Sequence, residues 1–210
     1  MAKKKGLFLT FEGGEGVGKT TQIARIARVF ESSGREVVVT REPGGSTIAN
    51  RIRALIIDPK NDGMVPLAEL FLYEASRAQH MHDTVLPALR RGAIVICDRF
   101  ADSSLVYQGA GRRLPAKTVV MLNQLATDGV KPDGTVLLDL DPRIGLARVG
   151  ARGVLDRLER EKLSFHRAVR RGFLDLAKKE RKRFLVVSAS KSRDEIHETI
   201  VAHWEKQGWL

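Results

Sequence analysis

The sequence predicts a three-layer α/β protein in which a five-stranded parallel sheet is flanked by helices. Three observations predict this fold. Short apolar runs alternate with longer helical patterns, and the first apolar run ends in a glycine-rich loop. The sequence contains no run of about 18 apolar residues, so no membrane span is expected. The chain has 210 residues, 43% of them hydrophobic, which suits one domain over 1–210.

Five runs are predicted to form strands, because all but their ends are apolar, as in strands buried on both faces of a sheet. They are 7–12, 36–41, 93–98, 135–139 and 184–188. Helical patterns follow each of them. The predicted helices are 18–33, 48–57, 66–91, 102–108, 116–127, 142–149, 157–181 and 192–207.

The charge of the chain is unevenly distributed. The net charge is +11, and residues 143–193 hold 16 Lys and Arg against 5 Asp and Glu, so this segment carries the whole excess. Such a segment predicts an anionic partner, either nucleic acid or a polyphosphate substrate, although a solvated helix face also fits many of these residues. The one cysteine, Cys97, excludes an intramolecular disulfide framework, and a cytoplasmic protein is expected.

A phosphate-binding loop follows the first predicted strand. Residues 13–20 read G-G-E-G-V-G-K-T and match G-x-x-x-x-G-K-[ST], which predicts a P-loop NTPase fold. Lys19 is expected to reach the β- and γ-phosphates of ATP, and the Thr20 hydroxyl to bind Mg²⁺. The predicted ATP-binding residues are Gly13, Gly14, Glu15, Gly16, Val17, Gly18, Lys19, Thr20 and Thr21. No guanine-reading Asn-Lys-x-Asp is present, which argues against a GTPase.

Two further segments carry charges suited to phosphoryl transfer. Asp98 and Arg99 end a predicted strand, where Asp98 would hold Mg²⁺ and Arg99 the acceptor phosphate; a strand-end salt bridge is the simpler alternative. Residues 148–160 place Arg148, Arg152 and Arg157 around glycines, which predicts a flexible lid. From spacing alone, a basic loop without a catalytic role fits the same residues equally well.

Four segments, in order, resemble the thymidylate kinase family. They read F-E-G at 11–13 leading to K-T-T-Q at 19–22, T-R-E-P-G-G at 40–45, D-R-F with S-S and Y-Q-G at 98–109, and D-R-L-E with F-H at 156–166. The resemblance implies transfer of a phosphoryl group from ATP to dTMP with Mg²⁺ and a homodimer formed through helices 66–91 and 102–127. The variable loop positions include no basic residue, as in the bacterial type, whose catalytic arginines come from the lid. This favours Arg152 and Arg157 over Arg148.

The resemblance also implies a site for the thymine base. Tyr73, where the family usually has Phe, would stack on the base; a core aromatic is the alternative reading. Arg77, Ser104 and Gln108 would hydrogen-bond the base, and Tyr107 would pack under the sugar.

The acceptor phosphate and the metal complete the implied site. Arg53 and Arg99 would hold the phosphate, with Glu42 near the sugar and Mg²⁺. The resemblance thus gives Lys19, Arg99, Arg152 and Arg157 as catalytic residues and Thr20 and Asp98 as metal ligands. Asn50 and Gly150 depart from residues common in the family, Glu and Arg respectively.

Two rival functions remain open at this point. One is a kinase for another pyrimidine deoxynucleotide or a deoxynucleoside. The other is a basic P-loop protein that binds nucleic acid through 143–193, although nucleic acid is the less expected partner.

Overall fold

The computed structural model describes residues 5–151 and 153–210. Five parallel strands form one sheet in the order β2-β3-β1-β4-β5, which confirms the predicted fold class. The strands are β1 (Leu7–Gly13), β2 (Val37–Arg41), β3 (Ile94–Asp98), β4 (Gly134–Asp139) and β5 (Phe184–Ser188).

Helices connect the strands and cover the sheet. They are α1 (Lys19–Ser32), α2 (Thr47–Ile57), α3 (Pro66–His80), α4 (Leu86–Arg90), α5 (Ala101–Ser104), α6 (Ala116–Ala126), α7 (Pro142–Gly150), α8 (Leu163–Lys179) and α9 (Arg193–Lys206). A short 3₁₀ helix, Pro59–Asn61, follows α2. No helix of the described ranges is long and apolar enough to cross a membrane.

The predicted helix 66–91 contains a wider turn. α3 passes through a π-helical turn, Met81–Val85, into α4. Pro87 lies two residues after this turn and has no N–H to donate to the preceding turn of helix, so the chain widens there. A second π-helical segment, Leu105–Gly111, extends α5 beyond its predicted end at 108.

The predicted start of the helix at 157 is wrong, because α8 begins at Leu163. The Asp156 carboxylate accepts hydrogen bonds from the backbone N–H groups of Leu158 and Glu159, both at 2.9 Å. The Glu159 carboxylate accepts in return from the Asp156 N–H. This reciprocal turn satisfies the local backbone donors without a helix, and an extended Lys162 separates it from α8.

The two faces of the sheet follow the alternation of side chains along the central strands. Leu9 and Phe11 of β1 pack with α1 and α9 around the fully buried Trp204. On the opposite face, Phe8 packs with residues of α4 and β3. Burial on both faces holds for β1, β3 and β4 but not for the edge strands, where Val39 and Val186 are 52% and 46% exposed.

The strand register sets the position of the site. Phe11 of β1 lies beside Asp98 of β3 and Val136 of β4. The loop after β1 and the turn after β3 therefore leave the same edge of the sheet as neighbours.

Candidate active site

The phosphate loop joins β1 to α1 by a path that glycine allows. Gly13, Gly16 and Gly18 have φ angles of 137°, 66° and 92°, which L side chains rarely adopt. The Lys19 ammonium, 8% exposed, donates to the Gly14 carbonyl at 3.2 Å. The lysine thus lies across the loop that carries it.

α7 packs directly against this loop through a second glycine. A Cβ on Gly16 would clash with the carbonyl oxygen of Gly145, and a Cβ on Gly145 would clash with the carbonyl oxygen of Glu15. Two backbones therefore meet with no room for a side chain between them.

The loop and the end of β3 form a cluster of oxygen ligands. The Thr20 hydroxyl donates to Asp98 Oδ2 at 3.3 Å, and Lys19 Nζ lies 3.8 Å from Asp98 Oδ1. The described residues hold no group of three or more His, Cys, Asp or Glu that could bind a metal. A hydroxyl and one carboxylate do fit Mg²⁺, which keeps several waters and shares phosphate oxygens.

Arg99 is held between the phosphate loop and the π-helical segment. Its backbone is left-handed, with a φ of 70°. Its guanidinium donates to the Gly13 carbonyl at 2.8 Å and to the Glu15 carboxylate at 2.7 Å, and it lies 5.0 Å from the centre of the Tyr107 ring. The Tyr107 hydroxyl also donates to Glu15, at 2.7 Å.

The charge of Glu15 is set by these neighbours. Burial opposes its ionisation, but Arg99, Lys19 and the Tyr107 hydroxyl outweigh burial and lower its pKa to about 2. Glu15 is therefore a carboxylate at neutral pH, and it joins the phosphate loop to Arg99 and Tyr107.

The sequence prediction missed Glu12, which fixes the turn that carries Arg99. Its carboxylate, 0% exposed, accepts from the Phe100 N–H at 2.8 Å and the Ser103 hydroxyl at 2.7 Å. Burial and the nearby Asp102 raise its pKa to about 7. An acidic residue inside an otherwise apolar strand was the signal available in the sequence.

Arg77 lies at the bottom of a cleft beside the phosphate loop. It is 1% exposed and lines the cleft, and its Nε donates to Glu42 at 2.7 Å. Its Nη1 contacts Glu74, Ser104 and Asn123 at 2.7 to 3.0 Å. Burial opposes the charge of Arg77, but the carboxylates of Glu42 and Glu74 raise its pKa.

Not every predicted base-binding residue faces the cleft. Ser104 lies behind Arg77, where its hydroxyl accepts from the guanidinium, and it is absent from the lining. Gln108 lines the cleft and donates through Nε2 to Glu69 at 2.8 Å.

Glu42 has a further partner that the sequence did not indicate. The fully buried His80 contacts Glu42 Oε1 through Nδ1 at 2.9 Å and the Thr40 hydroxyl through Nε2 at 2.7 Å. Together with Arg77, this histidine orients Glu42 on the wall of the cleft.

A cleft of about 910 Å³ runs from the phosphate loop to Tyr73 and Arg77. Arg53 donates to the Pro43 carbonyl at 2.8 Å, and Tyr73, 8% exposed, lies on the same wall. Apart from Ser104, the predicted substrate-binding residues all line this cleft: Glu42, Arg53, Tyr73, Arg77, Arg99, Tyr107 and Gln108.

Comparison with known proteins gives one consistent result. The family model described as Thymidylate kinase matches residues 11–200. The chain is 50% identical over 204 residues to a thymidylate kinase of Deinococcus radiodurans, covering 97% of this chain and 98% of that one. It is 52% identical over 191 residues to one of Geobacter sulfurreducens, covering 88% and 90%. The chain belongs to the thymidylate kinase family.

The solved structures agree with this assignment. A crystal structure of thymidylate kinase from Ehrlichia chaffeensis superposes with a TM-score of 0.78 and 34% identity, covering 96% of this chain and 99% of that one. The cleft is therefore the candidate active site of a thymidylate kinase family member.

Of the three arginines predicted to belong to a lid, Arg148 and Arg157 do not share the same surroundings. Arg148 donates to the Gly16 carbonyl at 3.3 Å, and Arg152 lies outside the described residues. Arg157 is 4% exposed, pairs with Glu69 at 2.6 Å, donates to the Ile56 carbonyl at 2.8 Å and is absent from the cleft lining. In this thymidylate kinase fold, Arg157 anchors the turn at 156–161 to α2 and α3.

Proposed function

We propose that this protein transfers the γ-phosphoryl group of ATP to dTMP, giving ADP and dTDP. The observation that carries the proposal is that one cleft joins a phosphate loop to a pocket with cationic and aromatic walls. Relatives at 50% and 52% identity that are named thymidylate kinases support the same reaction.

The donor side binds and orients the triphosphate. The N–H groups of the phosphate loop and the N-terminus of α1 would bind phosphate oxygens, with Lys19 at the β- and γ-phosphates. Thr20 and Asp98 would hold Mg²⁺, which neutralises phosphate charge when it is bound. These residues supply position and electrostatic stabilisation, not a covalent intermediate.

The acceptor phosphate is itself the nucleophile. One of its oxygens attacks the γ-phosphorus, and the bond to the oxygen that bridges the β- and γ-phosphates breaks. No strong base is required, because a phosphate oxygen is already charged. Arg53 and Arg99 would hold this phosphate in line, since guanidinium groups bind phosphate through paired hydrogen bonds.

The base and sugar are read on the opposite wall. Tyr73 would stack on the thymine ring, and Arg77 would donate to an exocyclic oxygen. Gln108 would complete the polar contacts, Tyr107 would pack under the sugar, and Glu42 would lie near both sugar and metal. Ser104 would act through Arg77, whose guanidinium it supports.

Residues 148–160 would act as a lid within one domain that spans 1–210. We propose Arg152 as the lid arginine that stabilises the charge of the transferred group. The role predicted for Arg157 at the phosphates would require it to leave Glu69, so its anchoring contacts favour Arg152.

The working protein would be a homodimer. α3 and α6 are in contact and both present large apolar side chains to solvent. Phe71 is 51% exposed, Met121 54% and Leu125 73%. Such a surface favours association with a second copy. The use of ATP suits a cytoplasmic enzyme.

A panel of acceptors tests the reaction. Initial rates would be measured for dTMP, dUMP, dCMP, UMP and thymidine with ATP and Mg²⁺. We expect the highest kcat/KM with dTMP and no turnover of thymidine, because Arg53 and Arg99 require an anionic acceptor. Comparable turnover of dCMP or UMP with poor use of dTMP would contradict the proposal.

A further inference from the structure

Glu69, which lies outside all the sequence motifs, organises a buried polar cluster. It lies on α3, is 0% exposed and receives donors from three residues. Gln108 Nε2 donates to Oε1 at 2.8 Å. Arg112 donates to both oxygens at 3.2 and 3.0 Å, and Arg157 Nη1 lies 2.6 Å from Oε2.

This carboxyl group is ionised and can only accept hydrogen bonds. Burial opposes ionisation of Glu69, but the hydrogen bonds of Arg112 and Gln108 and the charge of Arg157 outweigh burial and lower its pKa. A side-chain amide has one donor end and one acceptor end. Gln108 must therefore present its NH₂ group to Glu69, which directs its carbonyl oxygen away from Glu69.

We propose that Glu69 is a positioning residue that fixes the amide of Gln108, so that Gln108 presents a hydrogen-bond acceptor to the base of the bound monophosphate. The inference rests on the proposed function, because it concerns the base specificity of the same acceptor site. Glu69 itself does not line the cleft, whereas Gln108 does.

The polarity of the two base-facing groups matches a 4-oxo pyrimidine. Such a base, thymine or uracil, carries a donor at N3 and an acceptor at O4, whereas cytosine carries an acceptor at N3 and a donor at its 4-amino group. Arg77 has only donors, and its Nε and Nη1 are held by Glu42, Glu74, Ser104 and Asn123. A donor from Arg77 and an acceptor from Gln108 thus fit thymine and leave two unmatched pairs with cytosine.

The substitution Glu69→Gln tests this inference, because a glutamine at 69 can donate as well as accept and so releases the amide of Gln108. We expect the ratio of kcat/KM for dTMP over dCMP to fall about tenfold, the factor that corresponds to about 1.4 kcal/mol. The change should lie mainly in KM, since Gln108 does not touch the phosphates.

The matched control is Arg112→Met. It removes the Arg112 hydrogen bonds from the same carboxylate but leaves Glu69 facing Gln108. We expect its dTMP to dCMP ratio to equal that of the unmodified protein, even if its thermal stability falls. If Glu69→Gln lowers activity with both acceptors in parallel and keeps the ratio, Glu69 is structural only and the inference is overturned.

A second measurement applies if Glu69→Gln does not fold. In a crystal structure of the unmodified protein with dTMP, we expect the Gln108 amide within hydrogen-bond distance of both N3 and Glu69. An amide that contacts only one of them overturns the inference. If the unmodified protein uses dCMP as well as dTMP, the inference about Glu69 is overturned, but the protein is still a nucleotide kinase. If it phosphorylates neither, the proposed function itself is contradicted.

Discussion

At the scale of single residues, the site depends on charged groups that are buried and paired with groups of opposite charge. Arg77 is held by side-chain oxygens, and Arg99 by a carboxylate and a backbone carbonyl. Glu15 and Glu42 each accept from more than one donor. Groups held in this way need little reorganisation when substrate charge develops, which is how electrostatic catalysis gains its advantage. Two predictions follow from individual side chains.

Replacing the loop lysine should remove catalysis more than binding. For Lys19→Ala we expect kcat to fall by about 10²-fold or more, because one preorganised cation is lost from the transferred group. The KM for dTMP should change little, since the acceptor wall is untouched. Lys60→Ala, at an exposed lysine outside the cleft, is the control. Steady-state rates that match the unmodified protein would refute the role of Lys19.

Glu12 should make stability depend on pH. Its folded-state pKa of about 7 lies above its ordinary value of 4.5, so between these values the folded protein binds more protons than the unfolded chain. Stability from this group therefore falls as pH rises through that window, by about 3 kcal/mol at most. Glu12→Gln removes the titration. Its amide oxygen can accept from the Phe100 N–H, and its NH₂ group can donate to the Ser103 hydroxyl oxygen.

Urea unfolding at pH 5 and pH 8 measures the effect of Glu12. We expect the unmodified protein to lose more stability than Glu12→Gln between the two pH values. Equal losses in the two proteins would show that Glu12 does not titrate in this range.

At the scale of elements, Arg157 joins the segment before α8 to the rest of the fold. This arginine connects the turn at 156–161 to α2 through Ile56 and to α3 through Glu69. These contacts give Arg157 a structural role, although the sequence predicted the same catalytic role for Arg157 and Arg152.

Substitutions of Arg157 and Arg152 should affect different properties, stability in the first case and catalysis in the second. Arg157→Met removes one partner of a buried carboxylate, so we expect the free energy of unfolding to fall by about 3 kcal/mol. Arg152→Met is expected to lower kcat instead, as the resemblance to the family implies. Denaturant titration and initial rates on both variants make the comparison. An Arg157→Met protein with unchanged stability and a strongly reduced kcat would reverse the assignment.

Some of the helices and strands could be predicted from the sequence, and others could not. Apolar runs and the glycine loop were sufficient to predict all five strands, because strand burial and phosphate binding each leave a local pattern. The start of α8 was not predictable in this way, because Asp156 accepts from the following N–H groups as a helix N-cap does, yet the helix begins only at Leu163. The burial of Ser104 behind Arg77 and the contact of Glu12 with Phe100 depend on tertiary packing, which no local spacing encodes.

At the scale of the whole molecule, the excess positive charge is partly paired. Within 143–193, Arg170 pairs with Asp139 and Arg183 with Asp102. These contacts join α8 and the start of β5 to the rest of the fold. Part of the basic segment therefore serves folding, which reduces the charge left for an anionic partner.

The apolar surface of α3 and α6 should control assembly. Leu125, 73% exposed, lies at the C-terminal end of α6. For Leu125→Lys we expect a weaker dimer, because a charge would be buried between two copies. Sedimentation at several protein concentrations measures the change, with Val186→Lys on the edge strand β5 as the control. A monomeric unmodified protein would contradict the proposed assembly.

The contact between Gly16 and Gly145 shows that the path of the phosphate loop depends on a residue outside the loop motif. The eight-residue pattern names only the loop, yet a single methyl group on α7 would collide with that loop. In evolutionary terms, position 145 is expected to accept only glycine for as long as the loop keeps this path. Gly16 and Gly145 are therefore expected to be inherited together, although they lie far apart in the sequence.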